Sequence, residues 1–254
     1  MKNGTSWGKK GKRCDPEVAE DKNKGSQWDH VGLEAETKLC ISLVVGPRTA
    51  ENTGKLVKDL AERTNHVIPR LITTDEYKPY REKILEEYGQ TVIPEHTGKR
   101  GRPRKSFKVP PPELTYATVH KHRRKGRVYK ITIGAVFGSM EQVERAISES
   151  RVSHHVNTTF VERYNATTRQ HNARKQRKVY TFSKDFLYHE AESWSRLCFY
   201  NFVRVHGSLR LKREDGSYEQ RTPAMAAGLT NHVWLLSELL CYPLPYMQSQ
   251  PVMK

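Results

Sequence analysis

Residues 69–89 read PRLITTDEYKPYREKILEEYG, and this stretch combines the two patterns on which the fold depends. The first part, residues 69–75, is a short apolar run typical of a buried strand, and it ends on Asp75. The second part, residues 77–89, has helical texture and stops at Gly89. The stretch therefore predicts a strand, a carboxylate at the carboxyl end of that strand, and a helix.

The preceding segments extend this pattern toward the N-terminus. Residues 27–46 (QWDHVGLEAETKLCISLVVG) predict two strands joined by a short polar turn, the second strand being almost entirely apolar and therefore buried. Residues 49–64 predict a helix with Thr49 as its N-cap and an apolar stripe on one side. The order strand, strand, helix, strand, helix predicts a mixed α/β fold.

The middle of the chain is strongly basic. Residues 97–113 (TGKRGRPRKSFKVPPPE) predict a long loop, and residues 116–133 predict a hairpin that turns near Lys125 and Gly126. Twelve Lys and Arg residues lie between positions 99 and 130, against the single acid Glu113. Helical patterns return at 139–149, 158–171 and 183–206, and residues 221–240 close the fold. We divide the chain into a poorly ordered start (1–26), the first part of the core (27–96), a basic insertion (97–138), a helical remainder of the core (139–206) and a C-terminal segment (207–254).

The overall charge favours an anionic partner. Lys and Arg number 44 against 28 Asp and Glu, which gives a formal net charge of +16 and points to nucleic acid rather than to a membrane. The sequence lacks a long apolar run, so we expect a soluble, cytoplasmic protein. Its four cysteines form no C-x-x-C pair, which argues against a zinc ribbon.

One predicted helix carries a polar face with mixed charge. In TTFVERYNATTRQH (158–171), offsets of three and seven residues place Glu162, Asn165 and Arg169 along one side. Asp75 and Glu162 together have the chemistry of enzymes that cut phosphodiesters with two Mg²⁺ (or Mn²⁺) ions held by carboxylates from different elements. The alternative is structural, because Asp75 directly precedes a predicted helix and an aspartate there often serves as an N-cap.

Several motifs together resemble one protein family. The segments 25–53, LITTDEYKPY (71–80), TTFVERYNATTRQHNARKQRKVYTFSKD (158–185) and FYNFVRVHGSLR with RTPAMAAGLT are similar to bacterial insertion-sequence transposases with a DDE triad of acids, the branch typified by the first-numbered insertion sequence. The resemblance covers the chain from about residue 8. It implies an RNase H-like core with a five-stranded mixed sheet flanked by helices, and Mg²⁺-dependent strand cleavage and transfer. It also implies DNA partners, a nucleoid-associated location, and self-association or association with full-length transposase.

By that resemblance Asp75 is the second acid of the triad and Glu162 the third, and Asn165 and Arg169 lie near the active site. The first acid is missing, because the residues before Gly8-Lys9-Lys10 are MKNGTSW. Asp29 comes later, and whether it substitutes is left open. The zinc-binding and helix-turn-helix parts of the family are also absent, so the chain resembles a truncated or decayed element with impaired activity. The alternatives are an inactive DNA-binding remnant that inhibits intact transposase, or an RNase H-type nuclease.

The basic insertion contains the R-G-R-P core of an AT-hook. An extended R-G-R-P backbone is slim enough for the minor groove of A·T-rich DNA, where arginines meet a strong negative potential. A solvated run of charge is the alternative reading. The residues predicted to bind DNA are Lys99, Arg100, Gly101, Arg102, Pro103, Arg104, Lys105, Arg123, Arg124, Lys125, Arg174 and Arg177.

Overall fold

A computed structural model describes residues 4–7, 25–94, 104–176, 180–181, 183 and 185–243. The chain divides into two compact units, residues 1–193 and 194–254. The division falls inside a helix, Phe186–Cys198.

The first unit contains two three-stranded sheets. In one, β1 (Gly4–Trp7), β2 (Gly25–Leu33) and β3 (Cys40–Gly46) are antiparallel neighbours in that order. In the other, β4 (Ile72–Asp75) runs parallel to β7 (Tyr116–Arg124), which is antiparallel to β8 (Arg127–Phe137). A small antiparallel pair, β5 (Gln90–Val92) and β6 (Phe107–Val109), lies between β4 and β7 in sequence. The mixed α/β class is therefore confirmed.

These sheets differ in one respect from the sheet that the family resemblance implies. A single five-stranded sheet was expected, but no pairing among the described residues joins β1–β2–β3 to β4–β7–β8. Within the stretch 1–26, expected to be a poorly ordered start, Gly4–Trp7 form β1 and pair with residues 25–28 of β2. Residues 8–24 lie outside the described part.

Four helices of this unit follow the sequence predictions closely. They are α1 (Ala50–Arg63), α2 (Pro79–Tyr88), α3 (Met140–Ser148) and α4 (Thr159–His171). The Thr49 hydroxyl accepts a hydrogen bond from the Asn52 N–H at 3.2 Å, which confirms the predicted N-cap of α1. A capping box between Ser139 and Gln142 fixes the start of α3.

The β4–β7–β8 sheet has an apolar core on each face. One face carries Tyr116 and Phe137, which pack against Val57 of α1 and Ile84 of α2. On the other face Ala117 and Val119 pack against Val143 of α3 and against Val156, which lies in the segment leading into α4. This second face is the one that positions the candidate site.

The second unit is built from short elements. The helix α5 (Phe186–Cys198) continues into a π-helical turn, Phe199–Val203, and is followed by the hairpin of β9 (Leu211–Lys212) and β10 (Tyr218–Glu219). Two short helices, α6 (Pro223–Ala226) and α7 (Leu236–Cys241), lie in the C-terminal segment 207–254, which was expected to be helical. Gly228, with a φ of +75°, and the irregular stretch after it end α6, because a left-handed residue stops the helical ladder.

Candidate functional site

Asp75 ends β4 on the face of the sheet that packs toward α4. It pairs in register with Val119 of β7, and residues in register on neighbouring strands project to the same face. Thr73, two residues earlier and therefore on that same face, donates from its Oγ1 to the carbonyl of Asn157 at 3.5 Å. The N-cap alternative for Asp75 is wrong, since α2 begins at Pro79 with Lys78 in the cap position.

Glu162 lies in the first turn of α4, where a carboxylate interacts favourably with the helix dipole. Its Oε1 accepts a hydrogen bond from Thr158 Oγ1 at 2.9 Å and forms an ion pair with Lys121 Nζ. Lys121 follows Val119 by two residues on β7, so it shares the face that carries Val119 and Asp75. Asp75 and Glu162 therefore both lie on one side of the β4–β7–β8 sheet.

Asp75 forms an ion pair with Arg48, and two aromatic rings lie beside the guanidinium of Arg48. Arg48, which follows β3, places its Nη2 2.8 Å from Asp75 Oδ2. The same guanidinium lies over the ring of Tyr77, 4.2 Å from the centroid, and 5.3 Å from the ring of Trp28. Such contacts hold a guanidinium in a fixed orientation. Burial raises the pKa of the nearby Tyr80, and the negative charge of Asp75 raises it further.

A cleft of about 700 Å³ opens beside this ion pair. Asp75, Arg48, Asp29 and Asn165 are among the residues that line it. Asn165 is buried, and within the described part of the chain its Oδ1 has no hydrogen-bond partner. A buried amide oxygen without a partner is costly unless something else supplies one. Asn165 therefore lines the same cleft as Asp75 and carries a buried amide oxygen without a partner among the described residues.

Asp29, another carboxylate that lines the cleft, is engaged in a buried ion pair. Its Oδ2 lies 2.5 Å from Lys175 Nζ, and the side chains are 8 % and 3 % exposed. Lys175 also donates to Ser193 Oγ at 2.7 Å. Asp29 lies on β2 opposite Val45 of β3, and Arg48 follows β3. The charge of Asp29 is balanced by Lys175, so a metal ion would have to displace that ammonium group if Asp29 took the place of the first acid.

The sequence did not point to Arg48, Lys121 or Lys175. Lys175 belongs to the basic run NARKQRK, and its neighbours gave no sign that it alone would be buried. Lys121 was counted only as one of many charges in the hairpin. The alternation of a strand would have placed Lys121 on the face of Val119, but only the packing of α4 brings Glu162 to it.

The remaining predicted site residues are distributed over several elements. Arg169 lies in the last turn of α4, and Arg174 is 3.9 Å from Glu192 in an ion pair. Arg123, Arg124 and Lys125 are exposed on the β7–β8 hairpin, and Arg104 and Lys105 are exposed before β6. Lys99, Arg100, Gly101, Arg102, Pro103 and Arg177 lie outside the described residues.

Across the described residues, no three His, Cys, Asp or Glu side chains are grouped closely enough to hold a metal ion. Within the same ranges, no helix has the length and apolar character needed to cross a bilayer.

Comparisons of the chain with protein families, with curated proteins and with solved structures returned no match.

Proposed function

We propose that this chain is a DDE-type transposase of an insertion sequence with an RNase H-like core. Its reaction would be Mg²⁺-dependent cleavage and transfer of DNA strands. One observation carries the proposal. Two carboxylates 87 positions apart in sequence are both linked to β7: Asp75 pairs in register with Val119, and Glu162 forms an ion pair with Lys121, two residues further along that strand. Carboxylates from different elements on one side of a sheet are what a phosphodiester-cutting site requires.

The donors present are suited to a hard divalent cation. Mg²⁺ and Mn²⁺ take oxygen ligands, and Asp75, Glu162 and the unpartnered Oδ1 of Asn165 all offer oxygen atoms. When bound, the metal ion would polarise the scissile phosphate and activate the attacking water or hydroxyl. Asp75 and Glu162 would hold it, with Asn165 Oδ1 as a further oxygen ligand.

Two basic residues have a defined part in this proposal. Arg48 and Lys121 balance the charges of Asp75 and Glu162, so the acids do not repel each other before a cation arrives. When DNA binds, each basic group would exchange its carboxylate for a phosphate oxygen. With Asp75 and Glu162 as its two carboxylate ligands, the site would bind the metal weakly and cleave slowly.

The test is nicking of supercoiled plasmid in the presence of Mn²⁺. We expect slow nicking by the parent chain and none above background by Asp75→Asn or by Glu162→Gln. Glu141→Gln is the matched control, because Glu141 is an exposed carboxylate in the first turn of α3. Equal nicking by the parent and both site variants would refute the proposal.

A second candidate function is a non-catalytic DNA-binding protein that inhibits intact transposase. It is favoured by the ion pairs on Asp75, Glu162 and Asp29, which leave each of these acids balanced by a cation. Under this reading the parent chain and Asp75→Asn bind DNA equally and neither cuts it. Association with itself or with full-length transposase, measured by light scattering of the mixture, would be required for inhibition through mixed assemblies.

A further inference from the structure

The β7–β8 hairpin extends beyond the sheet to which it belongs. The pairing of β4 with β7 ends at Val119, whereas β7 and β8 stay paired to Arg124 and Arg127. Five residues of β7 therefore continue as a two-stranded ribbon, which at about 3.4 Å per residue is roughly 17 Å long. Every residue from Arg123 to Thr132 is exposed.

The tip of this ribbon is narrow. Lys125 and Gly126 have φ values of +49° and +80°, and positive φ at both central residues is typical of the tightest two-residue hairpin turns. Glycine adopts this conformation without strain, and Lys125 does so at modest cost. The ribbon consequently ends in two residues without a loop that would widen it.

All the charged side chains of the ribbon are positive. Six Lys and Arg residues lie between positions 121 and 130, and residues 114–140 contain no acid. Lys121, at the base, is paired with Glu162, and His120 contacts Glu76. The outer part, from Arg123 to Lys130, keeps five cations close together.

One face of the ribbon is polar throughout. His120, His122 and Arg124 alternate along β7, opposite Thr132, Lys130 and Arg127 of β8. The rings of His120 and His122 are 4.2 Å apart, and the ring of Tyr129, which is 67 % exposed, is 6.0 Å from His122. His122 Nε2 and Thr132 Oγ1 are 2.8 Å apart. We call this surface the basic ribbon face.

The opposite face is different in character. It carries the exposed apolar side chains of Val128 and Ile131, together with Arg123 and the paired Lys121. The basic ribbon face therefore carries three cations and no exposed aliphatic side chain, whereas the opposite face carries two cations, one of them paired, beside two exposed aliphatic side chains. A two-stranded ribbon by itself is only marginally stable in water, so a protruding one is best explained by what it binds.

We propose that the β7–β8 ribbon enters the major groove of duplex DNA with the basic ribbon face toward the base edges. The major groove of B-form DNA admits a two-stranded ribbon, whereas that of duplex RNA is too narrow for side chains to read. Arg124, Arg127 and Lys130 supply donors for guanine N7 and O6 or for phosphates. The inference shares its DNA partner with the proposed function but requires no catalysis.

The first experiment measures binding to a mixed-sequence DNA duplex at several salt concentrations. The triple variant Arg124→Ser, Arg127→Ser, Lys130→Ser is compared with Lys55→Ser, Lys58→Ser, Arg63→Ser, which removes three exposed cations from α1. We expect the ribbon variant to bind at least about tenfold more weakly. The plot of log K against log salt should also become less steep, by roughly 2 to 3 in slope, because each lost phosphate contact accounts for about 0.9. Equal losses in both variants would overturn the proposal. Circular dichroism and thermal unfolding confirm that both variants fold.

The second experiment identifies the groove. Dimethyl sulfate methylates guanine N7 in the major groove and adenine N3 in the minor groove. Protection of N7 by the parent, lost in the ribbon variant and kept in the α1 variant, is the expected result. Protection confined to adenine N3 would contradict the proposal, as would equal affinity for a duplex RNA of the same sequence. Asp75→Asn is expected to keep the N7 footprint, so failure of the catalytic proposal leaves this result intact.

Discussion

Lys121 of β7 and Glu162 of α4 form an ion pair across the face of the sheet that also carries Asp75. This contact fixes the side on which α4 presents its first turn. It also means that a cation already occupies one oxygen of the predicted ligand. Binding of a metal ion at Glu162 is therefore an exchange of an ammonium group for a divalent cation, and that competition can be measured.

Replacement of Lys121 by Gln is predicted to strengthen Mn²⁺ binding. The variant removes the competing ammonium group, and we expect the Kd for Mn²⁺ to fall by about tenfold, which corresponds to ~1.4 kcal/mol. Calorimetric titration measures the Kd directly. Glu162→Gln serves as the opposite control and should abolish the binding. An unchanged Kd in Lys121→Gln would show that Glu162 is not a ligand.

Replacement of Asn165 by Asp is predicted to couple stability to metal. Asn165 is buried with an unpartnered Oδ1, so a carboxylate there lowers the melting temperature in the absence of metal. Added Mn²⁺ should raise the melting temperature of this variant more than that of the parent, because the ion gains a charged ligand. Thr168→Val, one turn further along α4, is the control. If Mn²⁺ shifts all three proteins equally, Asn165 does not face the ion.

The buried pair of Asp29 and Lys175 is predicted to be sensitive to loss of either partner. Lys175→Met leaves a buried carboxylate without its cation, and we expect a loss of about 3–5 kcal/mol in the free energy of unfolding. The double variant Asp29→Asn, Lys175→Met should recover most of that loss. Lys55→Met, which breaks an exposed pair with Glu51, should change the free energy by less than about 1 kcal/mol. Urea unfolding measures all three, and a small effect of Lys175→Met would contradict the buried pair.

Acid is predicted to destabilise the first unit through His189. Burial lowers the pKa of His189, and the positive charge of Lys175 lowers it further. The unfolded chain, with its ordinary pKa near 6.5, binds a proton that the folded chain resists, so this stabilisation is present above pH 6.5 and is lost as the pH falls below it. One such proton changes the free energy of unfolding by about 1.4 kcal/mol per pH unit.

The matched variant for this prediction is His189→Gln. Its free energy of unfolding should fall less steeply between pH 6.5 and pH 5 than that of the parent. A residual slope is expected from His30, whose pKa burial also lowers. Identical slopes in the parent and in His189→Gln would exclude the contribution of His189.

Local elements of the fold were largely predictable because their signals are local. The N-cap at Thr49, the strand ending at Asp75 and the turn at Lys125-Gly126 each depend on neighbours within a few residues, and the structure confirms all three. The grouping of strands was not predictable in the same way. Pairing of Gly4–Trp7 with β2 and the separation of the two sheets depend on contacts between distant segments, on which periodicity gives no information.

For the candidate site too, the arrangement within one element was predictable and the contacts between elements were not. Glu162, Asn165 and Arg169 could be placed on one helix face from spacing alone, and α4 contains all three. The basic partners of the acids could not be found in this way. Arg48, Lys121 and Lys175 lie 27, 41 and 146 positions from the carboxylates that they contact, and many other cations of the chain were equally eligible.

The sequence by itself determined the mixed α/β class, the helices that flank the sheet, the positive charge and the acids at positions 75 and 162. It could do so because propensity, capping and alternation act over a few bonds along the backbone. Tertiary structure decided which cation balances which acid, that Asp29 is buried with Lys175, and that the β7–β8 hairpin projects past its sheet. Those outcomes depend on desolvation and on packing between distant segments, and neither quantity exists until the chain has folded.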